Sequence, residues 1–166
     1  AIIKYISTNK KEKIQSQIEL AQNYLMQMEY EQTTAAYEEV LKIDPQNVEI
    51  FDVLINIGIN KTEDFLEESK DETGSFSYTK ETCDEYSELL NYINEIFNNK
   101  ENVLGGAKDS TTKDKIKEYM QSVEDKKNVL LAYEEEQRLI QLKIQKFEDE
   151  KKELMSWNSD LSSVHI

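Results

Sequence analysis

A chain of 166 residues with 4 Gly, 1 Pro and 1 Cys has few places to break a helix or turn a hairpin, and it cannot close an intrachain disulfide. An all-α fold is expected. The formal net charge of −14, from 34 Asp and Glu against 20 Lys and Arg, disfavours nucleic acid and anionic membrane surfaces as partners.

The acidity is uneven: residues 1–50 hold 5 basic against 8 acidic side chains, residues 51–110 hold 5 against 14, and residues 111–166 hold 10 against 12. A partner with a basic surface would suit the middle third. No run reaches the roughly 20 apolar residues of a spanning helix. The opening Ala1-Ile2-Ile3-Lys4-Tyr5-Ile6 is either a first strand or helix turn of the fold, or what remains after a targeting segment or anchor. Any membrane contact would come through a segment before Ala1. The compartment stays open between a cytosol and an extracytoplasmic, anchored position.

In chain order, Ile14, Ile18, Leu20, Ala21, Tyr24, Leu25 and Met28 follow helical spacing, and a cap is expected near Ser7 or Thr8. A second helix reads from Tyr30 through Ala36, Tyr37, Val40, Leu41 and Ile43 and stops at Pro45. Asp44 is placed as N-cap of a third helix with Pro45 at its first position. That third helix carries Val48, Phe51, Leu54, Ile55 and Ile57 and is expected to weaken at Gly58 and Asn60, with Thr62 capping a short fourth. Thr73-Gly74-Ser75-Phe76-Ser77 reads as a loop.

The next helix runs from about Thr79 to Phe97, with Cys83, Tyr86, Leu89, Leu90, Ile93, Ile96 and Phe97 on one face, and is expected to end at Asn98-Asn99 and Gly105-Gly106. From Ser110 or Thr111 a last helix continues to about Met155, roughly 65 Å at ~1.5 Å per residue. Ile116, Val123, Leu130, Gln137, Ile144 and Lys151 share one heptad position of it, and Tyr119, Lys126, Tyr133, Ile140, Phe147 and Leu154 the other. Lys126, Gln137 and Lys151 interrupt the seam, which favours packing against helices of the same chain over a pure two-stranded zipper. The helix from Thr79 is the natural antiparallel partner of the first half. The second half needs another cover, either the Ile14 to Ile57 helices or a second copy of the chain. The expected division is a helical unit over 1–72 and a helical hairpin over 73–166.

Leu20, Ala21, Tyr24, Tyr30, Ala36, Tyr37, Leu41, Ile43, Asp44, Pro45 and Asn47 are spaced as in a helix-turn-helix unit of about 34 residues, and the stretch from Ile14 to Asn47 resembles one tetratricopeptide repeat. It departs from the pattern at Gln17, at Met28 where the turn glycine is usual, and at Thr33 and Val40 where alanines are usual. Phe51 and Leu54 begin a second unit that loses the pattern after Gly58. The resemblance implies a groove lined by first helices, which places peptide or helix binding on Gln15, Ile18, Gln22, Leu25 and Met26, and in the next unit on Glu49, Asp52, Asn56 and Ile59. Ile18, Gln22 and Val53 stand where carboxylate-gripping members carry basic and amide residues, so no carboxylate clamp is expected.

No catalytic constellation emerges. His165 is the only histidine, Cys83 reads as a small apolar residue, and Gly105-Gly106-Ala107-Lys108 lacks the spacing of a phosphate loop. Asp71-Glu72-Thr73-Gly74 lacks calcium-loop spacing, and Glu134-Glu135-Glu136 and Glu148-Asp149-Glu150 read as solvated helix faces. No cofactor or metal is expected. The reading is a non-enzymatic interaction module or scaffold that binds a partner helix or peptide through the groove. Its alternative is a self-associating helical ectodomain or tail that dimerises through the long last helix.

Overall fold

The computed structural model describes residues 2–68, 74–106 and 110–163 and consists of five helices: α1 Ile2–Met26, α2 Tyr30–Ile43, α3 Val48–Glu67, α4 Lys80–Leu104 and α5 Ser110–Ser162. The fold is all-α. Helix α1 packs on α2, α2 touches α3, and α3 packs on α4 and along α5, with α4 lying on α5. One core runs through these contacts, from Ala21 and Ala36 through Phe51, Phe65, Leu90 and Phe97 to Ile116 and Val123. The 72/73 division, Ala1, Asp71-Glu72-Thr73, Ala107-Lys108 and His165 lie outside the described residues.

The α1–α2 pair is close because Ala21 and Ala36 are buried where the two helices meet, and Tyr37 fills the space beside them. Helix α1 starts at Ile2, so no cap interrupts it at Ser7 or Thr8 as expected; nothing between Ile2 and Met26 is a helix breaker. Its end is specified by geometry. The N–H of Glu29 donates to Tyr24 O at 3.0 Å and that of Met28 to Leu25 O at 3.0 Å, the paired bonds that close a helix when the residue after it turns left-handed. That residue is Met28, at φ 59°, so the position where the repeat pattern carries glycine has the backbone of a glycine without the residue.

Pro45 corrects one expectation. Asp44 closes α2, its N–H donating to Val40 O at 2.8 Å, and the N–H of Asn47 donates to Asp44 O at 3.2 Å. Pro45 therefore occupies the second position of a β-turn, where its fixed φ fits. The N-cap of α3 is Asn47, whose side chain accepts from Ile50 N at 3.2 Å.

Helix α3 does not weaken at Gly58 but runs unbroken to Glu67, because Gly58 is a contact point. A Cβ built there would sit 2.5 Å from Ile93 Cγ2, so the missing side chain is what lets α4 approach. Thr62, expected as a cap, is buried mid-helix and its hydroxyl donates to Gly58 O at 2.8 Å, the local bond that satisfies a buried threonine.

Helix α4 begins with a capping box formed by Thr79 and Thr82 and passes through Asn98-Asn99, where an end was expected. Gly105, at φ 79°, ends it, with Gly106 N–H donating to Glu101 O at 2.9 Å. After Gly106 the sequence holds neither Gly nor Pro, so α5 has no breaker and extends past Met155 to Ser162.

Two substitutions should act in opposite directions by the same backbone logic. Met28 is largely exposed, so Met28→Gly relieves left-handed strain without losing packing and should raise stability by about 0.5–1 kcal/mol. Gly58→Ala improves helix propensity but drives a methyl into the buried Ile93, and should lower stability by about 1–2 kcal/mol. Urea unfolding followed by circular dichroism reads both; stabilisation by Gly58→Ala would contradict the α3–α4 contact.

Candidate interaction surface

Helix α5 has two halves that share one sequence pattern and differ in what covers them. In the first half Ile116 and Val123 are fully buried and Leu130 is 4% exposed, all three on the line that faces α4 and α3. Tyr119 and Lys126 flank that line from the other heptad position. Tyr119 donates its hydroxyl to Glu63 Oε1 at 2.7 Å, tying α5 to α3. Lys127 pairs with Asp84 at 2.7 Å, tying it to α4.

Lys126, which interrupts the apolar seam, is accommodated by aromatic faces. Its ammonium lies 4.2 Å from the Tyr78 ring centre and 5.3 Å from that of Phe65, and it donates to the Glu68 carbonyl just past the end of α3. Burial of this ammonium among the rings holds its pKa below the ordinary lysine value. One seam residue that looks wrong for a core is thus a link between α5, the end of α3 and the segment before α4.

The cover ends at Tyr133, where the Phe76 ring meets it at 5.0 Å between centres. From Glu134 to Ser163 every residue is exposed. The heptad line nevertheless continues, with Ile140, Ile144, Phe147, Leu154 and Leu161 on the stripe, Phe147 at 67% and Leu161 at 69% exposure, and Leu139, Leu142, Met155 and Trp157 beside it. Each of these side chains leaves in water apolar surface whose burial is worth about 1 kcal/mol. A helix without tertiary cover draws its stability from length and local pairs. Here it is continuous with a packed half, and it carries local pairs such as Arg138 with Glu135 at 2.6 Å and Gln145 with Asp149 at 2.9 Å.

The residues assigned to a repeat groove fall on two separate helices. On α1, Gln15, Gln22 and Met26 are exposed, Ile18 and Leu25 are half-buried, and Ile18 packs against the core. On α3, Glu49 and Asn56 are exposed, Asp52 pairs with Lys100 at 2.5 Å, and Ile59 is buried. No described Cα of α1 comes within 8 Å of one of α3, so the structure does not bring the two sets together along one groove. Trp157 and Leu161 lie beyond Met155, where the spacing places the end of the helix, and α5 carries both. The signal was present, since Leu161 lies seven residues after Leu154 on the same line.

Among the described residues no group of His, Cys, Asp and Glu is arranged to hold a metal ion, and no helix is long and apolar enough to cross a membrane. Cys83 is buried at the α4–α5 contact, and burial pushes its thiol pKa up, away from nucleophilic use. A shallow pocket of about 270 Å³ between α2, α3 and α4 is lined by Tyr30, Glu38, Gly58 and Lys61 and is bordered by the Tyr92 hydroxyl, which donates to Glu38 Oε1 at 2.7 Å. That bond joins α4 to α2. Nothing in the pocket forms a reacting pair.

The hydroxyls that tie the helices together should make stability sensitive to alkali. The hydrogen bond to Glu63, aided by burial, pushes the Tyr119 phenol from 10.0 up to about 12, and burial with the Glu38 bond pushes Tyr92 up as well. The folded state thus favours the neutral phenol, so the contribution is complete below pH 10 and is lost as pH rises through about 12. Tyr119→Phe should flatten the fall in melting temperature between pH 10 and 12 measured by circular dichroism; an unchanged slope would contradict the α3–α5 tie. In comparisons with known proteins, no family model, no curated protein and no solved structure matches this chain.

Proposed function

We propose that this chain is a protein–protein interaction module of the scaffold type, and that its binding surface is the half of α5 beyond Tyr133. The observation that carries this reading is the continuation of a buried heptad stripe into solvent, from Ile116, Val123 and Leu130 to Ile140, Ile144, Phe147, Leu154 and Leu161, with Gln137 and Lys151 as its polar interruptions. A stripe of this spacing is built to be covered by another helix lying along it, as α4 covers its first half. The four-helix body supplies the fixed end. Glu63, Asp84, Tyr78 and Phe76 hold α5 at several points up to Tyr133, so the free half leaves the body in a defined direction.

The α1–α2 hairpin reads as a tetratricopeptide-like unit that serves as scaffold. Support for this comes from the buried Ala21 and Ala36 at the helix pair and from the left-handed Met28 at the glycine position of the turn. A groove on α1 and α3 fits less well, because the two helices do not approach each other closely. The flanks of the α5 stripe carry both signs, with 5 Lys and Arg against 8 Asp and Glu over residues 134–163, so this surface suits a partner helix of mixed charge.

Cross-linking of the chain in an extract of its native cells separates the two surfaces. Phe147→Glu with Leu154→Glu should abolish the adducts while circular dichroism stays unchanged, and Gln22→Arg with Met26→Glu should leave them intact. The opposite pattern would return the binding function to the α1 surface.

A further inference from the structure

The stripe on α5 is occupied along one stretch and free along the next, and the boundary between them is sharp. Helix α4 is antiparallel to α5: Asp84, near its start, pairs with Lys127, and the segment before it reaches Tyr133 through Phe76. Seen along α5 from Ile116, α4 lies on the stripe and stops, and the stripe goes on with Ile140, Ile144, Phe147, Leu154 and Leu161. Among the described residues none lies on the stripe where α4 would continue if it were longer.

Resting on the reading of α5 as the binding surface, we propose that the occupant of this position is the same half of α5 from a second copy of the chain, running antiparallel. Direction follows from space. A parallel partner helix lying on the stripe at Phe147 would have to continue through the volume that α4 and the Phe76–Tyr78 segment already fill. An antiparallel one carries its own α4 and Phe76–Tyr78 segment to the opposite end of the stripe, near Trp157, so the two bodies do not compete for the same volume.

Charge and seam select the same arrangement. Lys143 and Glu150 are seven residues apart and share one heptad position that flanks the seam, on either side of its middle. A two-fold axis between Gln145 and Lys146 sets Lys143 beside Glu150 of the partner subunit, and the converse pair forms across the axis. The same axis stacks Ile144 on Phe147 of the partner subunit, twice. It also places Ile140 against Lys151 of the partner subunit, whose aliphatic stem can cover the isoleucine while its ammonium reaches water. A parallel pair in register would instead set the two copies of Lys151 against each other inside the seam, where like charges repel.

The strip is about 44 Å long at ~1.5 Å per residue and about 10–12 Å wide, close to 500 Å² of footprint per chain. That is the small end for a specific interface, so a reversible dimer with a dissociation constant in the micromolar range is expected rather than a permanent one.

Sedimentation of the 166-residue chain between about 1 and 200 µM should show a monomer–dimer equilibrium. Lys143→Glu should weaken it by about tenfold, and Lys143→Glu with Glu150→Lys should restore it. A spin label at Glu134→Cys should report two labels roughly 35 Å apart, from a 23-residue offset along the helix pair. A monomer throughout the range, labels within roughly 15 Å, or restoration by Glu148→Lys in place of Glu150→Lys would overturn the proposal. If the chain is monomeric yet Phe147→Glu with Leu154→Glu still removes the cross-linked adducts, the second copy falls and the α5 surface stands. If those adducts survive the substitutions as well, both fall.

Discussion

The structure turns on a mismatch of length between two helices that share one seam. Helix α4 has 25 residues and α5 has 53, about 37 Å against about 80 Å, so α4 can cover less than half of what it packs on. Everything that fixes α5 to the body lies within the covered part: Ile116, Val123 and Leu130 against α4, Tyr119 to Glu63 on α3, and Lys126 between the rings of Tyr78 and Phe65. The exposed continuation of the stripe lies beyond it. The heptad spacing does not change at Tyr133; only the cover does.

The body in turn depends on close approach at a few small residues. Gly58 admits Ile93 and so brings α4 onto α3, while Ala21 and Ala36 bring α1 onto α2. The Tyr92 to Glu38 bond and the Lys100 to Asp52 pair then link α4 back to α2 and α3. This plan differs from a regular solenoid in that successive first helices, α1 and α3, do not pack on each other; α3 is instead sandwiched towards the C-terminal hairpin.

Much of this was legible in the sequence. The scarcity of Gly and Pro announces an all-helical chain, and the seven-residue spacing from Ile116 to Leu154 gives both the long helix and the register of its buried face. What could not be read there has physical causes. By propensity alone Gly58 is a weak point of its helix, whereas its effect here is set by Ile93, which lies 35 residues further along the chain. Lys126 interrupts the seam in the sequence, and the rings that receive it come from two other segments. Asp44 and Asn47 are both good caps, and only the turn at Pro45 decides between them. The candidate site was legible as a stripe needing cover. Its extent was less plain, because a helix without a breaker carries no stop signal and Leu161, seven residues after Leu154, is the one apolar mark of its continuation on that line.

The central claim is that one continuous stripe on α5 has an intrachain cover up to Tyr133 and an intermolecular one beyond it. Amide hydrogen exchange along α5, measured as a function of protein concentration, tests this most directly. The account predicts that protection over residues 116–133 is independent of concentration, whereas protection over residues 134–162 rises as the protein is concentrated and falls on dilution. Exchange over residues 134–162 that stays equally fast at every concentration would contradict it.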